Sequence, residues 1–449
     1  MRRHRIDRSA IAVGMLLALA GMPVLAEEPA ATLPGLPEGV DWTFNFDASA
    51  GTFGFDNSLY TDPKPEQPSG DLSDNWSEAS VKPALSAVYT TGGSSQIYGK
   101  FSAVGTRTFG AAPDLVGNDE SYFNIEDAYI GWRSGNSLEG LGENAVDFTV
   151  GRTQYTLGQG MILYDGSADG GSRGGYWTGA RKAFEFAAIG RFKPGNHTME
   201  AFYLDKDDVS EADSDTKLWG ANYEYAIGED TTLGATYMKW SADADEAPQR
   251  DGLDVYNLRA YTAPFPGLKA LAFEAEYIKE DNGDALDSSA WSVLAGYQFS
   301  STWEPRLTYR YAIFEGDNPA TAKDEAFDSL LTGFHDWGTW WQGEIAGEYF
   351  LSNSNLISHQ LRLHVAPNDA ISSGLILSDF QFDEPESLGP QVTSDDVGYE
   401  LDWYMDWSVN DNITLSFVAA IAEPGDGIEQ SSDRTDTFYY GMIFAAYSF

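Results

Sequence analysis

Segments of roughly ten residues with alternating polar and apolar character recur along the whole chain, the signature of strands in a membrane barrel. The gaps between them alternate short and long. Short gaps fall at Thr91-Gly92-Gly93, Lys193-Pro194-Gly195-Asn196, Gly228-Glu229-Asp230, Pro264-Phe265-Pro266-Gly267, Ser300-Ser301-Thr302, Pro367-Asn368-Asp369 and Asn410-Asp411-Asn412. Long polar gaps fall near 57–75, 110–120, 158–180, 206–216, 242–251, 281–288, 381–396 and 423–435. The gap at 134–144 is long, yet its place in the series puts it on the side of the short turns. Two classes of connection in strict alternation mean two different surroundings, one at each end of a set of antiparallel strands.

Counting strands from this alternation first yields nineteen segments, because Trp340–Phe350 also alternates. An odd count breaks the alternation. Treating 315–355 as one long external excursion restores it, with nine strands up and nine down. The expected fold is all-β: a transmembrane antiparallel β-barrel of about eighteen strands, with long extracellular loops and short periplasmic turns. Residues 315–355 are expected to form a structured loop or cap, unless 340–350 is a further wall strand. A barrel of this size leaves a lumen wide enough for water and solute.

The last twelve residues, Phe438–Phe449, form a strand with no charge on either face and an aromatic end. Such a strand is stable where it pairs with the first and leaves no open edge. It is similar to the terminal strand of outer-membrane proteins generally, which the barrel-assembly machinery reads. At the other end, Arg2, Arg3, Arg5 and Arg8 precede the apolar run Ile11–Ala20 and the small-residue end Val24-Leu25-Ala26. This predicts a secretory signal over 1–26, a short periplasmic segment over 27–40, and the barrel over 41–449. No segment is long and apolar enough for a membrane helix.

The balance of 69 acidic against 27 basic residues disfavours a nucleic-acid partner, since phosphates need a basic surface. With no cysteine, disulfides and thiolate chemistry are excluded. The acidic clusters Asp205–Asp208 and Asp243–Glu246 lack calcium-loop spacing and read as solvated loops. No metal and no cofactor is expected.

Lipid-facing positions must be apolar, so the opposite phase of each strand faces the lumen. In Pro305–Ile313 the apolar set Leu307, Tyr309, Tyr311 and Ile313 sends Arg306, Thr308 and Arg310 inward. In Ser358–Val365 the set Leu361, Leu363 and Val365 sends Gln360, Arg362 and His364 inward. Asn257, Arg259 and Lys100 also face in. Arg152 shares a phase with Phe148 and Val150, so it reaches the lumen only if Gly151 marks a bulge. Several inward arginines would select anions, because guanidinium offers carboxylates a charge-assisted fork. Glu274, Glu276, Glu400, Asp402 and Asp406 point inward by the same rule, so each arginine could equally balance an acid. Lumenal aromatics could line a path for sugar rings, although most aromatics fit the girdles and the outer surface.

Phe327-Asp328, Asp336-Trp-Gly-Thr-Trp340, Gln342-Gly-Glu-Ile345 and Gly347–Leu356 resemble the alginate-export family of outer-membrane barrels. Val150-Gly-Arg-Thr-Gln-Tyr155, the Tyr309-Arg-Tyr-Ala312 strand and the chain end look like the same family. The resemblance runs from about residue 41 to 449. It implies an eighteen-stranded barrel in the outer membrane that passes an anionic uronate polysaccharide through an arginine-lined constriction, gated by loops or plug segments. On the matching strands, Arg152, Arg306, Arg310 and Arg362 are the candidates for that constriction, with Arg259 and Lys100 beside them. The family also implies periplasmic export partners.

Two other readings stay open. A general or substrate-selective porin for uptake of small anionic solutes or oligosaccharides would share this frame, and direction is not readable from the chain. An enzyme is not expected: beyond the signal only His197, His335, His359 and His364 exist, with no nucleophile-elbow serine. His359 and His364 lie on opposite faces of one strand.

Overall fold

The computed structural model describes residues 39–57, 74–110, 119–209, 213–265, 267–333, 343–345, 353–432 and 435–449. The expected signal 1–26 and residues 27–38 of the expected periplasmic segment lie outside the described residues. The same holds for most of the 57–75 and 110–120 gaps.

The described residues form eighteen strands in one closed antiparallel sheet. The first six are β1 Val40–Asp56, β2 Asp74–Thr90, β3 Gln96–Phe109, β4 Ser121–Arg133, β5 Val146–Arg152 and β6 Phe186–Phe192. Then come β7 His197–Asp205, β8 Lys217–Ile227, β9 Thr231–Ser241, β10 Asp254–Thr262, β11 Leu271–Asp281 and β12 Asp287–Gln298. The last are β13 Arg306–Phe314, β14 Leu356–Asn368, β15 Ile371–Gln381, β16 Asp396–Ser408, β17 Ile413–Pro424 and β18 Phe438–Ser448. Closure comes from β18 on β1, in the register Asp47↔Ser448 to Asp56↔Tyr439. Phe46 and Phe449 exchange both backbone hydrogen bonds at 2.9 and 3.0 Å. A closed ladder satisfies every wall peptide inside a medium that offers no hydrogen bonds.

Two-residue periodicity sorts the side chains. On β9, Gly234, Thr236, Met238 and Trp240 are buried toward the lumen, whereas Leu233 and Ala235 are exposed toward lipid. A charge on that outer phase at mid-membrane would cost about 2–4 kcal/mol. Near the external ends, outward aromatics meet across strands, with Tyr237 and Tyr256 ring centroids 5.4 Å apart and Trp291 and Tyr311 5.1 Å apart. Such rings sit at a membrane–water boundary, apolar in body and polar at the tip.

The alternation of connections holds, but gap length does not follow it everywhere. The 134–145 connection is indeed a turn on the short side, closed by hydrogen bonds from Ser134 N to Val146 O and from Asn144 N to Gly135 O. Conversely the gap expected to be long at 281–288 shrinks to 282–286, because β11 and β12 pair to their tips at Asp281↔Asp287. Most of 340–350, the candidate further strand, lies outside the described residues; β13 bonds directly to β14 from Arg306↔His364 to Phe314↔Leu356, so among the described residues no wall strand stands between them.

Candidate functional site in the lumen

The connection 153–185 does not extend outward as a polar external gap. It turns into the lumen, and the turn begins at Gly151, whose φ is +124°. A Cβ there would lie 2.3 Å from the Ala128 carbonyl oxygen, so only glycine fits. Phe148 and Val150 face lipid, and strict alternation would send Arg152 after them. The backbone reversal at Gly151 brings it inside instead, where its Nε donates to Glu126 O at 3.1 Å.

Leu157, Met161, Ile162 and Leu163 then pack on lumen-facing apolar residues of the wall, including Leu204, Leu218, Met238, Val255 and Ile278. The lumen is aqueous, so burying each such side chain stabilises the fold of the loop by roughly 1.5–3 kcal/mol. The same segment pairs with the other long loop. Leu331 N donates to Ile162 O at 3.1 Å, Tyr164 N to Leu331 O at 2.9 Å, and Gly333 N to Gly160 O at 3.0 Å. The two loops thus form one inserted layer across part of the barrel.

Buried carboxylates tie this layer to the wall. Glu78 on β2 accepts from Trp177 N at 2.7 Å and Thr178 N at 3.1 Å. Trp177 stacks between Phe53 and Tyr440, at 5.5 and 5.8 Å between centroids. Those inward aromatics are therefore packing partners of the loop. Glu126 on β4 accepts from Lys182 N at 2.6 Å and Ala183 N at 2.9 Å. Residues 343–345 of the second loop reach β16, where Ile345 N donates to Glu400 at 2.8 Å.

Asp207, just after β7, is the centre of the densest cluster. It receives Arg152 and Arg181, and Arg173 at 3.1 Å. The expectation that Asp205–Asp208 is a solvated surface run is corrected by this burial; Asp243, Asp245 and Glu246 are exposed as expected. Burial pushes the Asp207 carboxyl up, but Arg152, Arg173 and Arg181 together outweigh it and hold it below the usual range. Nearby in the loop, burial raises Asp165 to about 7 against the pull of Lys182. Among the described residues no group of three histidine or acidic side chains is arranged to hold a metal.

The candidate cations fall into two groups. Arg152, Arg259 and Lys100 are engaged by acids. Lys100 Nζ is 2.9 Å from Asp127, and Arg259 is 3.2 Å from Glu224 while donating to Thr236 and Asn222. Arg259 is also roofed by the loop: a Cβ on Gly158, at φ +56°, would sit 2.6 Å from its Cδ. The second group lies on two adjoining strands. Arg306 is opposite His364 and Thr308 is opposite Arg362, with Arg310 one inward position further along β13. The expected inward acids are inward too; Glu276 accepts from Asn257 at 2.6 Å and Asp406 from Ser416 at 2.6 Å.

Lys82 follows the alternation rule, in the phase opposite the exposed Val81 on β2, whereas Arg173, Arg181 and Lys182 were not legible as lumenal. The available signal was the apolar run Met161–Leu163, which has no place in a solvated loop. Lys82 Nζ donates to Ala180 O at 3.4 Å, and Lys182 lies 5.0 Å from the Tyr164 ring centre; neither forms an ion pair among the described residues.

Comparison with known proteins agrees with this architecture. The family model described as alginate export matches residues 95–441. No curated protein sequence matches the chain. Among solved structures, Pseudomonas aeruginosa OccK2 (OpdF) is 14% identical with a TM-score of 0.58, covering 90% of this chain and 97% of its own. Acinetobacter baumannii OccAB4 is 10% identical with a TM-score of 0.58, covering 90% and 98%. Pseudomonas aeruginosa OccK8 (OprE) is 11% identical with a TM-score of 0.57, covering 91% and 98%. At these identities the likeness is one of fold. With most of its length matched by the family model, this integral outer-membrane channel, which is not an enzyme, belongs to the alginate-export family.

Proposed function

We propose that the channel carries an anionic saccharide, an alginate-like uronate polymer, out of the periplasm. The observation that carries this reading is the cluster of Arg306 and Arg362 with His364 on the lumenal face of β13 and β14, with Arg310 buried beside them. Guanidinium groups spaced along adjoining strands offer successive carboxylates of a polymer charge-assisted hydrogen bonds without one deep trap. The outward direction of this reading follows the export in the description of the matched family.

The test is a reversal-potential measurement in planar bilayers under a KCl gradient, with uronate oligomers added to either side. Anion preference and current block by uronates are expected, with block stronger from the periplasmic side. Cation preference with no block would overturn the reading. Block by short anionic solutes from the external side alone would favour uptake.

A further inference from the structure

We infer that Tyr404 is a positioning residue that holds Arg362 for the carboxylate of the cargo. The inference rests on the reading that Arg362 meets an anionic cargo, and it adds how a long, flexible side chain is held in place there.

Tyr404 lies on β16, opposite Gly374 of β15. A Cβ at Gly374 would sit 2.4 Å from the Tyr404 hydroxyl and 2.5 Å from its ring, so the missing side chain is the seat on which the ring lies. From that seat the ring crosses β15 toward β14, and only 1% of Tyr404 is exposed. Its hydroxyl accepts from Arg362 Nε at 2.8 Å and is 2.8 Å from His364 Nδ1. The ring also lies 5.1 Å from the Arg362 guanidinium carbon and stacks on the His364 imidazole at 6.1 Å and 18°. One buried phenol therefore fixes both the plane and the height of the guanidinium. Ser373 holds the Tyr404 backbone in turn, donating to its carbonyl at 2.7 Å.

An arginine held by its Nε and by an aromatic face loses little further freedom when it binds an anion. Its terminal amino edge is then aimed by the barrel wall.

The test compares Tyr404→Phe, Arg362→Gln and the double variant in the full-length channel. Phenylalanine keeps the ring on Gly374, and unchanged heat-modifiable migration on gels confirms the barrel. Uronate block is expected to weaken about three- to tenfold in Tyr404→Phe, the size of one ordinary net hydrogen bond, because the hydroxyl orients the arginine and does not itself meet the cargo. The double variant should be no weaker than Arg362→Gln alone, because the hydroxyl acts only through the arginine. Full block in Tyr404→Phe while Arg362→Gln is impaired would overturn the positioning role and leave the proposed function standing. Additive losses in the double variant would overturn it as well. If Arg362→Gln itself blocks normally, the cargo reading at this arginine fails and the inference falls with it.

Discussion

The Arg173 guanidinium meets the Asp207 carboxylate at 3.1 Å, joining the loop after β5 to the loop after β7. Arg152 and Arg181 reach the same carboxylate, so one acid holds three cations that would otherwise repel one another. Asp207→Asn should release the inserted loop. Removing one partner of a buried ion pair costs about 3–5 kcal/mol, and here Arg152 and Arg173 lose their counter-charge while Arg181 keeps only Glu126, 3.9 Å away. The expected result is a larger and noisier single-channel conductance from an intact barrel.

The pH dependence of that anchor follows from the lowered Asp207 carboxyl. A depressed folded-state value contributes stability that is present above the unfolded value and is lost as pH falls through the folded one. The anchor should therefore persist at pH 5 and fail only below the ordinary carboxylate range. Conductance recorded from pH 7 downward should show no Asp207-dependent opening until then.

Asp165 behaves oppositely. Burial raises it to about 7, so its neutral form is favoured in the folded loop, and the stability this contributes is lost as pH rises from the ordinary carboxylate range to about 7. Between the two protonation states the shift corresponds to roughly 4 kcal/mol. Asp165→Asn should abolish whatever part of the loop's protease resistance declines between pH 5 and pH 8 in the wild type.

Gly151→Ala places a methyl group 2.3 Å from the Ala128 oxygen at a positive φ. Backbone strain of this kind costs of order 1–3 kcal/mol, and relief requires a shift that withdraws Arg152 from Asp207. A lower urea midpoint and a conductance change resembling that of Asp207→Asn are expected together.

Replacing 315–355 by a short turn should leave the barrel folded, because β13 and β14 pair without it. The loop's own order depends on contacts such as the Arg250 fork on Asp328, at 2.6 Å for both nitrogens. Deletion should raise conductance, whereas Arg250→Ala should leave conductance closer to wild type and admit protease within 315–333.

Much of the wall was legible because its determinants are local. Alternation with a period of two assigns the faces of β13 and β14, and it places Arg306, Arg310 and Arg362 inside. The order of turns and loops gave eighteen strands, and the uncharged Phe438–Phe449 strand named the one that closes on β1. What lies inside the wall was decided only in three dimensions. Arg173 and Arg181 lie 34 and 26 residues from Asp207 and carry no periodic signal, so nothing local says that they meet it. Gly151 marked a conditional bend, yet its direction depends on Ala128 across the sheet. Lys100 and Arg259 face the lumen as their strands dictate and Arg152 through the reversal at Gly151, but pairing of Lys100 with Asp127, Arg152 with Asp207 and Arg259 with Glu224 settles how much charge they offer it. Strand phase is a property of neighbouring residues, whereas a charge's partner is a property of the closed barrel and of the loops folded within it.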